Sequence, residues 1–296
     1  MNILISGASG LVGSLLVKHL EDSNHTTVAL SRSPTPAGMV WDPTSGYLEP
    51  TAFKGVDAVI HLAGENLAAG RWNTARKKRF YDSRIDGTHL LSTTLAQLEQ
   101  PPKVLICASA IGYYGNRGNE VVDETSPPGQ GYLPNMCSAW EKAAAPAATV
   151  GIRVVHLRLG LVLSAAGGLL AKMRLPFSLG LGGRLGNGRQ YMSWISLLDT
   201  VRVFCHILAD DTLAGAVNCT APAPVTNAAF TQSIGTILHR PTLFPVPAFA
   251  LKALFGEMAE PLMLEGCRVL PEKLLAAGFL FEHKTLEAAL RWALAD

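Results

Sequence analysis

The chain has 296 residues, 48% apolar and 16% charged, with a net charge of +2 and a mean hydropathy of +0.23. That is a packed globular composition, enough for one large domain or a domain with a smaller partner, and it excludes a disordered chain. The mild charge argues against nucleic acid or an acidic membrane surface as partner. Five widely spaced cysteines with no C-x-x-C argue against a disulfide framework or zinc site.

The opening MNILISGASG has no basic leader and no cleavage site, and no apolar run is long enough to span a bilayer. A cytoplasmic protein with a small-molecule substrate is expected, as monomer or homodimer. Asn2–Ser6 reads as a strand and Leu11–Leu20 as an amphipathic helix. Strands are expected at Thr27–Leu30, Val56–Leu62, Val104–Ala108 and Val154–Leu159. Helices are expected over Trp72–Leu98, bent near Asp82–Gly87, and over Pro134–Ala148. This alternation implies βαβ units and a parallel sheet. The pattern changes near Leu163: Ala165–Gly188 reads as loop, helix and loop, and Asp199 as the cap of a following helix. We therefore divide the chain into a nucleotide-binding part, 1–163, and a substrate-side part, 164–296, with some later segments returning to the first.

The first strand runs into GASGLVG, residues 7–13. Gly7 permits a tight turn, Gly10 lets backbone approach a pyrophosphate, and Gly13 lets the helix pack close to the strand. Ser9, Leu11 and Val12 complete a loop whose N–H groups and helix dipole face the phosphates. Its position between strand and helix is the context such a motif requires. The second strand ends in Ser31, Arg32 and Ser33, with no carboxylate to hold a ribose 2′-hydroxyl. A guanidinium and two hydroxyls suit a 2′-phosphate, so NADP(H) is expected over NAD(H).

GASGLVG, SRS, HLAGENL, SAIGYYG, LRLGLVL and SWISLLD occur in the order found in extended short-chain dehydrogenase/reductases. The whole chain resembles the atypical epimerase branch of that superfamily, which carries a small C-terminal module like EGCRVLPEKLLAAGFLFEHKTLEAAL. The resemblance implies an α/β, doubly wound parallel-sheet Rossmann fold with a smaller, interleaved C-terminal region. It also implies that Leu62, Ala63 and Gly64 line the adenosine and ribose, and that Arg84 stands where relatives often place an asparagine facing the cofactor.

The same resemblance implies a serine, tyrosine and lysine for hydride chemistry, the phenol being tuned by a nearby cation. Ser109 matches the serine. MCSAWEKA, residues 136–143, offers two alignments for the other pair, Ser138 with Lys142 or Cys137 with Glu141, and neither contains tyrosine. Ser109 and Lys142 are the catalytic candidates. Tyr113, Tyr114 and Tyr132 are nearby phenols, each better explained by packing than by chemistry, and Tyr114 is retained as a substrate candidate. Glu65 is a candidate acid, base or substrate ligand, or a turn residue. Arg184 and Arg189, on a glycine-rich loop, match arginines that hold nucleotide-sugar diphosphates in related epimerases. The basic run RWNTARKKR reads as a solvated helix face. The function expected is an NADP(H)-dependent oxidoreductase or epimerase-like enzyme for a small polar carbonyl or nucleotide sugar. The alternative is an NADPH-binding sensor that has lost catalysis.

Overall fold

A computed structural model describes residues 1–33 and 38–295. Its main sheet is fed in chain order by β1 (Asn2–Ser6), β2 (Thr26–Ser31), β3 (Met39–Asp42), β4 (Tyr47–Leu48), β5 (Ala58–His61) and β6 (Val104–Ala110). After the short β7 (Val121–Val122), β8 (Arg153–Leu159) extends it; β9 (Leu161–Leu163), β10 (Tyr191–Met192) and β11 (Trp194–Ser196) lie outside it. β12 (Gly215–Cys219) then returns to its edge, and β13 (Val225–Thr226) and β14 (Arg268–Val269) form small pairs elsewhere. The order is β12-β8-β6-β5-β1-β2-β3-β4, parallel except for the β3–β4 hairpin. All four residues of β5 are buried, as expected of a central strand covered on both faces.

The helices are α1 (Leu11–Asp22), α2 (Thr74–Ala96), α3 (Tyr132–Lys142), α4 (Ala145–Thr149), α5 (Gly168–Ser178), α6 (Leu197–Ala209), α7 (Asn227–Leu238), α8 (Ala248–Phe255), α9 (Glu272–Ala276) and α10 (Leu286–Leu294). One face of the sheet packs against Leu16 and Leu20 of α1 and Val201 and Phe204 of α6. The other buries Leu91 and Leu95 of α2 with Trp41 and Phe53.

Three expectations are corrected. The β3–β4 hairpin occupies a stretch in which no strand was expected. Helix α2 runs unbroken through Gly87, whose missing side chain makes room for Trp41: a Cβ there would lie 3.3 Å from the indole. The helix expected over 134–148 is two, because the proline ring of Pro146 has no N–H to carry a helix past Lys142.

The C-terminal segment is tied to the sheet through Asp199, which is fully buried. Ser196, not Asp199, caps α6, its Oγ accepting from the Asp199 N–H at 3.0 Å. The Asp199 carboxylate accepts instead from the backbone N–H groups of Glu282 (2.8 Å) and His283 (2.9 Å) and from Arg202 (3.0 Å).

At the C-terminal end of β5, His61 is fully buried and hydrogen-bonded to Ser6 Oγ at 2.6 Å, while its Nε2 has no partner. Burial lowers its pKa from 6.5 to about 4. The unfolded chain therefore binds a proton between these values that the folded chain refuses, and stability falls as pH drops through that window. One such group contributes about 3 kcal/mol, fully present above 6.5 and lost near 4. His156, also lowered by burial, acts in the same direction. Urea denaturation of His61→Asn between pH 7 and pH 4 should show a smaller loss of stability than the parent; an equal loss would remove His61 from the acid response.

Candidate functional site

The site lies where the chain reverses direction across the sheet, β1 being flanked by β2 and β5. The glycine turn is shaped by backbone contact. Gly7 has φ +71°, and a Cβ on it would stand 2.8 Å from the Leu62 carbonyl carbon and 2.9 Å from Ala63 N. A Cβ on Gly13 would overlap the Gly7 carbonyl and Ala8 backbone, and one on Gly10 would crowd the Gly7 carbonyl at 3.2 Å. Any side chain at these places would push β1, β5 and α1 apart. Gly10 begins α1 with no side-chain cap, which leaves the first N–H groups available for an anion. Ser9 and Gly10 are exposed there, with Leu11 and Val12 half-buried. Gly167, in the loop after β9, packs against Leu11 and so borders the same turn.

At the end of β2, Ser31 Oγ accepts from the Ser33 N–H at 3.2 Å, which curls the strand end. Arg32 and Ser33 are exposed. Among the described residues no hydrogen bond or ion pair engages the Arg32 side chain, so its guanidinium is available to a phosphate. At the end of β5, Leu62 and Ala63 donate to the carbonyl and hydroxyl of Ser6, which holds the LAG backbone beside the glycine turn.

Gly64 abuts Arg84 of α2: a Cβ on it would stand 3.4 Å from the guanidinium carbon. Arg84 is only 8% exposed and donates to the carbonyls of Phe80 (3.3 Å) and Glu65 (3.0 Å). It faces the Trp140 ring at 5.1 Å, and its Nε has no partner. Burial lowers its pKa, opposed by Cys137, Tyr132 and Glu65. Glu65 itself forms an ion pair with Arg79 at 3.1 Å, and Asn66 Oδ1 caps the turn by accepting from Ala68 N–H at 2.9 Å. Elsewhere in the basic run, Lys77 pairs with Glu257, Lys78 with Asp82, and Arg71 donates to the Ala253 carbonyl. The expected solvated face is thus corrected in part: Arg71 and Lys77 are engaged by the segment around α8, while Lys78 and Arg79 remain exposed.

At the expected catalytic centre, Ser109 is 2% exposed and donates to Glu141 Oε1 at 2.7 Å. Glu141 accepts a bidentate pair from Arg158 of β8, Nε to Oε1 and Nη2 to Oε2, both at 2.8 Å. Arg158 also donates to the Tyr114 hydroxyl (2.9 Å), which donates to Asn218 Oδ1 (2.7 Å). The Tyr113 ring lies 3.5 Å beneath the guanidinium. Burial works against the charge on Arg158, but the hydrogen bonds and charge of Glu141, with Tyr114, outweigh it and raise its pKa.

This arrangement chooses between the two readings of MCSAWEKA. Cys137 and Glu141 face Ser109 and Gly112; Lys142 is exposed and does not meet Ser109. The expected Ser109–Lys142 pairing is thus replaced by Ser109–Glu141. Cys137 is 1% exposed, and burial with the neighbouring Glu141 pushes its thiol up to about 12, so it offers no thiolate near neutrality. Tyr114 does not fit as a substrate ligand: it is fully buried, its hydroxyl is engaged on both sides, and burial pushes it up to about 12. Arg184 and Arg189 are exposed on the loop beyond this network, and no contact joins either to Ser109. That loop docks on the C-terminal module through Gln190, which donates to the Met263 carbonyl at 2.8 Å.

Sequence reasoning missed Arg158. A lone arginine inside the apolar strand VVHLRL was the available signal, since such a charge must have a buried partner. Among the described residues no cluster of metal-ligating side chains is present.

Residues 3–219 match the NAD dependent epimerase/dehydratase family, and residues 246–293 match a domain of unknown function, DUF1731. The chain belongs to this epimerase/dehydratase family. It is 47% identical over 294 residues to the epimerase family protein Mb2239 of Mycobacterium bovis, covering 98% of this chain and 97% of that one. It is 35% identical to the human epimerase family protein SDR39U1, covering 98% and 99%. A crystal structure of human SDR39U1 with NADPH superposes with a TM-score of 0.92 at 34% identity over the full length of both chains. A nucleoside-diphosphate sugar epimerase from Corynebacterium glutamicum gives 0.84 at 32% identity, over 99% of this chain and 58% of that one. Membership accounts for the Rossmann architecture and the glycine turn; it leaves open what the Glu141 network does.

Removing the Glu141 charge leaves Arg158 buried and unpaired. Glu141→Ala is expected to destabilise the fold by about 3–5 kcal/mol, and Lys142→Ala by no more than about 0.5 kcal/mol, measured by urea unfolding. Equal effects would mean that Glu141 and Lys142 share one solvated environment.

Proposed function

We propose that the protein binds NADP(H) across the ends of β1, β2 and β5 and acts as an NADPH-dependent binding or regulatory protein, without phenol-driven hydride transfer. The observation that carries this reading is the ion pair of Glu141 with Arg158. At the position where the family's chemistry implies a cation, a carboxylate is locked bidentately and also accepts the hydrogen bond of the Ser109 hydroxyl. An O–H committed to a carboxylate cannot at the same time polarise a substrate carbonyl, and a thiol near 12 is a poor donor for a forming alkoxide.

The residues fit the cofactor. The glycine cradle is closed to a Cβ at Gly7 and Gly13, α1 opens uncapped, and among the described residues Arg32 is unpaired at the end of β2, where a 2′-phosphate would sit. When bound, the cofactor would supply a hydride-bearing nicotinamide. The chain's own residues would hold its phosphates at Gly7–Gly13, its 2′-phosphate at Ser31–Ser33, and its adenosine side at Leu62–Gly64. Arg84, anchored on the Glu65 carbonyl, would fix that last turn. The NADPH in the human relative's crystal structure agrees with the same preference.

A second reading has its own observation. Arg184 and Arg189 are exposed and, among the described residues, have no side-chain hydrogen bond or ion pair. Two such guanidiniums suit a diphosphate, in keeping with an oxidoreductase or epimerase-like enzyme for a nucleotide sugar or small polar carbonyl. The Corynebacterium relative bears a nucleotide-sugar name. In that case the proton donor is not Tyr114 or Lys142.

Titration by nicotinamide fluorescence should show NADPH bound more tightly than NADH. Arg32→Ala should weaken NADPH by about 1.5–3 kcal/mol and leave NADH nearly unchanged; equal weakening would refute the 2′-phosphate assignment. Steady NADPH oxidation with a carbonyl or nucleotide-sugar substrate, lost in Arg184→Ala/Arg189→Ala with NADPH affinity intact, would establish the second reading over the first.

A further inference from the structure

The substrate-side part carries a surface that the cofactor reading does not use. Leu175, Leu179 and Leu181, on and after α5, are 63–68% exposed. Leu243 and Phe244, in the segment before α8, are 74% and 67% exposed; Phe249 and Leu254, on α8, are 76% and 65% exposed. They form one ridge because the two segments run side by side. Arg240 donates to the Ser178 carbonyl at 2.8 Å, Val246 N–H to the Arg184 carbonyl at 2.8 Å, and Gly186 N–H to the Val246 carbonyl at 2.9 Å. Helix α8 in turn meets the loop before α2 through Arg71 and the Ala253 carbonyl. Seven large apolar side chains on adjoining segments are each about two-thirds bare, and contiguous exposed apolar patches mark interaction sites.

The charge around the ridge identifies what covers it. Residues 168–190 and 239–256 contain six lysines and arginines and no aspartate or glutamate, in a chain with 25 and 23 of each sign. The next carboxylates along the chain, Glu257 and Glu260, are already paired with Lys77 and Lys252. Lys252 is thereby neutralised, while Lys172, Arg184, Arg189 and Arg240 form no ion pair among the described residues, so these segments keep a net positive charge. A second copy docking face to face here would set like charges against each other, which is repulsive. An interface of anionic headgroups over hydrocarbon complements both features: the leucines and phenylalanines enter the acyl boundary while lysines and arginines meet phosphate. No helix among the described residues is long and apolar enough to cross a membrane, so the contact would be peripheral.

We propose that the ridge formed by the end of α5, residues 179–186 and 241–249, and α8 is a docking surface for an anionic lipid bilayer. The proposal stands independently of the cofactor reading. Full-length protein should sediment with vesicles of phosphatidylcholine mixed with phosphatidylglycerol, and at least tenfold less with phosphatidylcholine alone. Raising the salt should weaken the binding, because surface charges more than about 8–10 Å apart are already screened near physiological ionic strength. Phe244→Glu/Phe249→Glu alters only exposed side chains; it should keep the parent melting temperature and lose vesicle binding at least tenfold. No binding to either vesicle would overturn the proposal, including the case in which an acidic protein occupies the face. So would undiminished vesicle binding by the melting-competent double variant. A dimer that dissociates in that variant, without vesicle binding by the parent, would reassign the ridge to self-association.

Discussion

The Glu141–Arg158 ion pair is the constraint around which the centre of the molecule is arranged. Arg158 is buried near the C-terminal end of β8, between β12 and β6, where an unpaired charge is expensive, and Glu141 reaches it from α3 with both oxygens. That reach fixes which face of α3 looks inward, and so brings Cys137 under Gly112 and turns Lys142 to solvent. Ser109 on β6 and Tyr114 after it complete the shell, and Asn218 joins β12 to it. Asn218 also donates to the Leu270 carbonyl, which ties the C-terminal module to the same core. One polar network thus joins strands, helix and module that have no sequence proximity.

Two ends of the candidate site are determined by different physics. At the phosphate end, shape decides: backbone meets backbone at Gly7, Leu62 and Gly13, and the geometry survives only without Cβ atoms. Around Ser109, side-chain charge decides, and here the Glu141 carboxylate is directed inward to Arg158.

The same division explains what could be read from the chain. The parallel-sheet plan was legible because strands such as AVIH and VLICASA are short apolar runs bounded by glycine or proline, and because GASGLVG carries its own steric logic. The β3–β4 hairpin was not, since MVWD and YL are too short to show a period and acquire strand form only by pairing beside β2. The glycine in α2 was misread as a bend because its reason, the indole of Trp41, is 46 positions away in the chain. MCSAWEKA gave two registers because local spacing cannot tell which face of a helix is inward; only Arg158, on a later strand, selects Glu141.

The corrections at Lys142 and Tyr114 have a common cause. Both residues have the right chemistry at nearly the right place, but the lysine is exposed without meeting Ser109, and the phenol is buried in the core. A functional group must have a free valence facing its ligand. By that criterion, among the candidate site residues and within the described residues, Arg32, Arg184, Arg189 and the Nε of Arg84 have capacity to spare. All four are cationic. Among the candidate site residues the free capacity is therefore of the kind that anionic ligands such as phosphates engage.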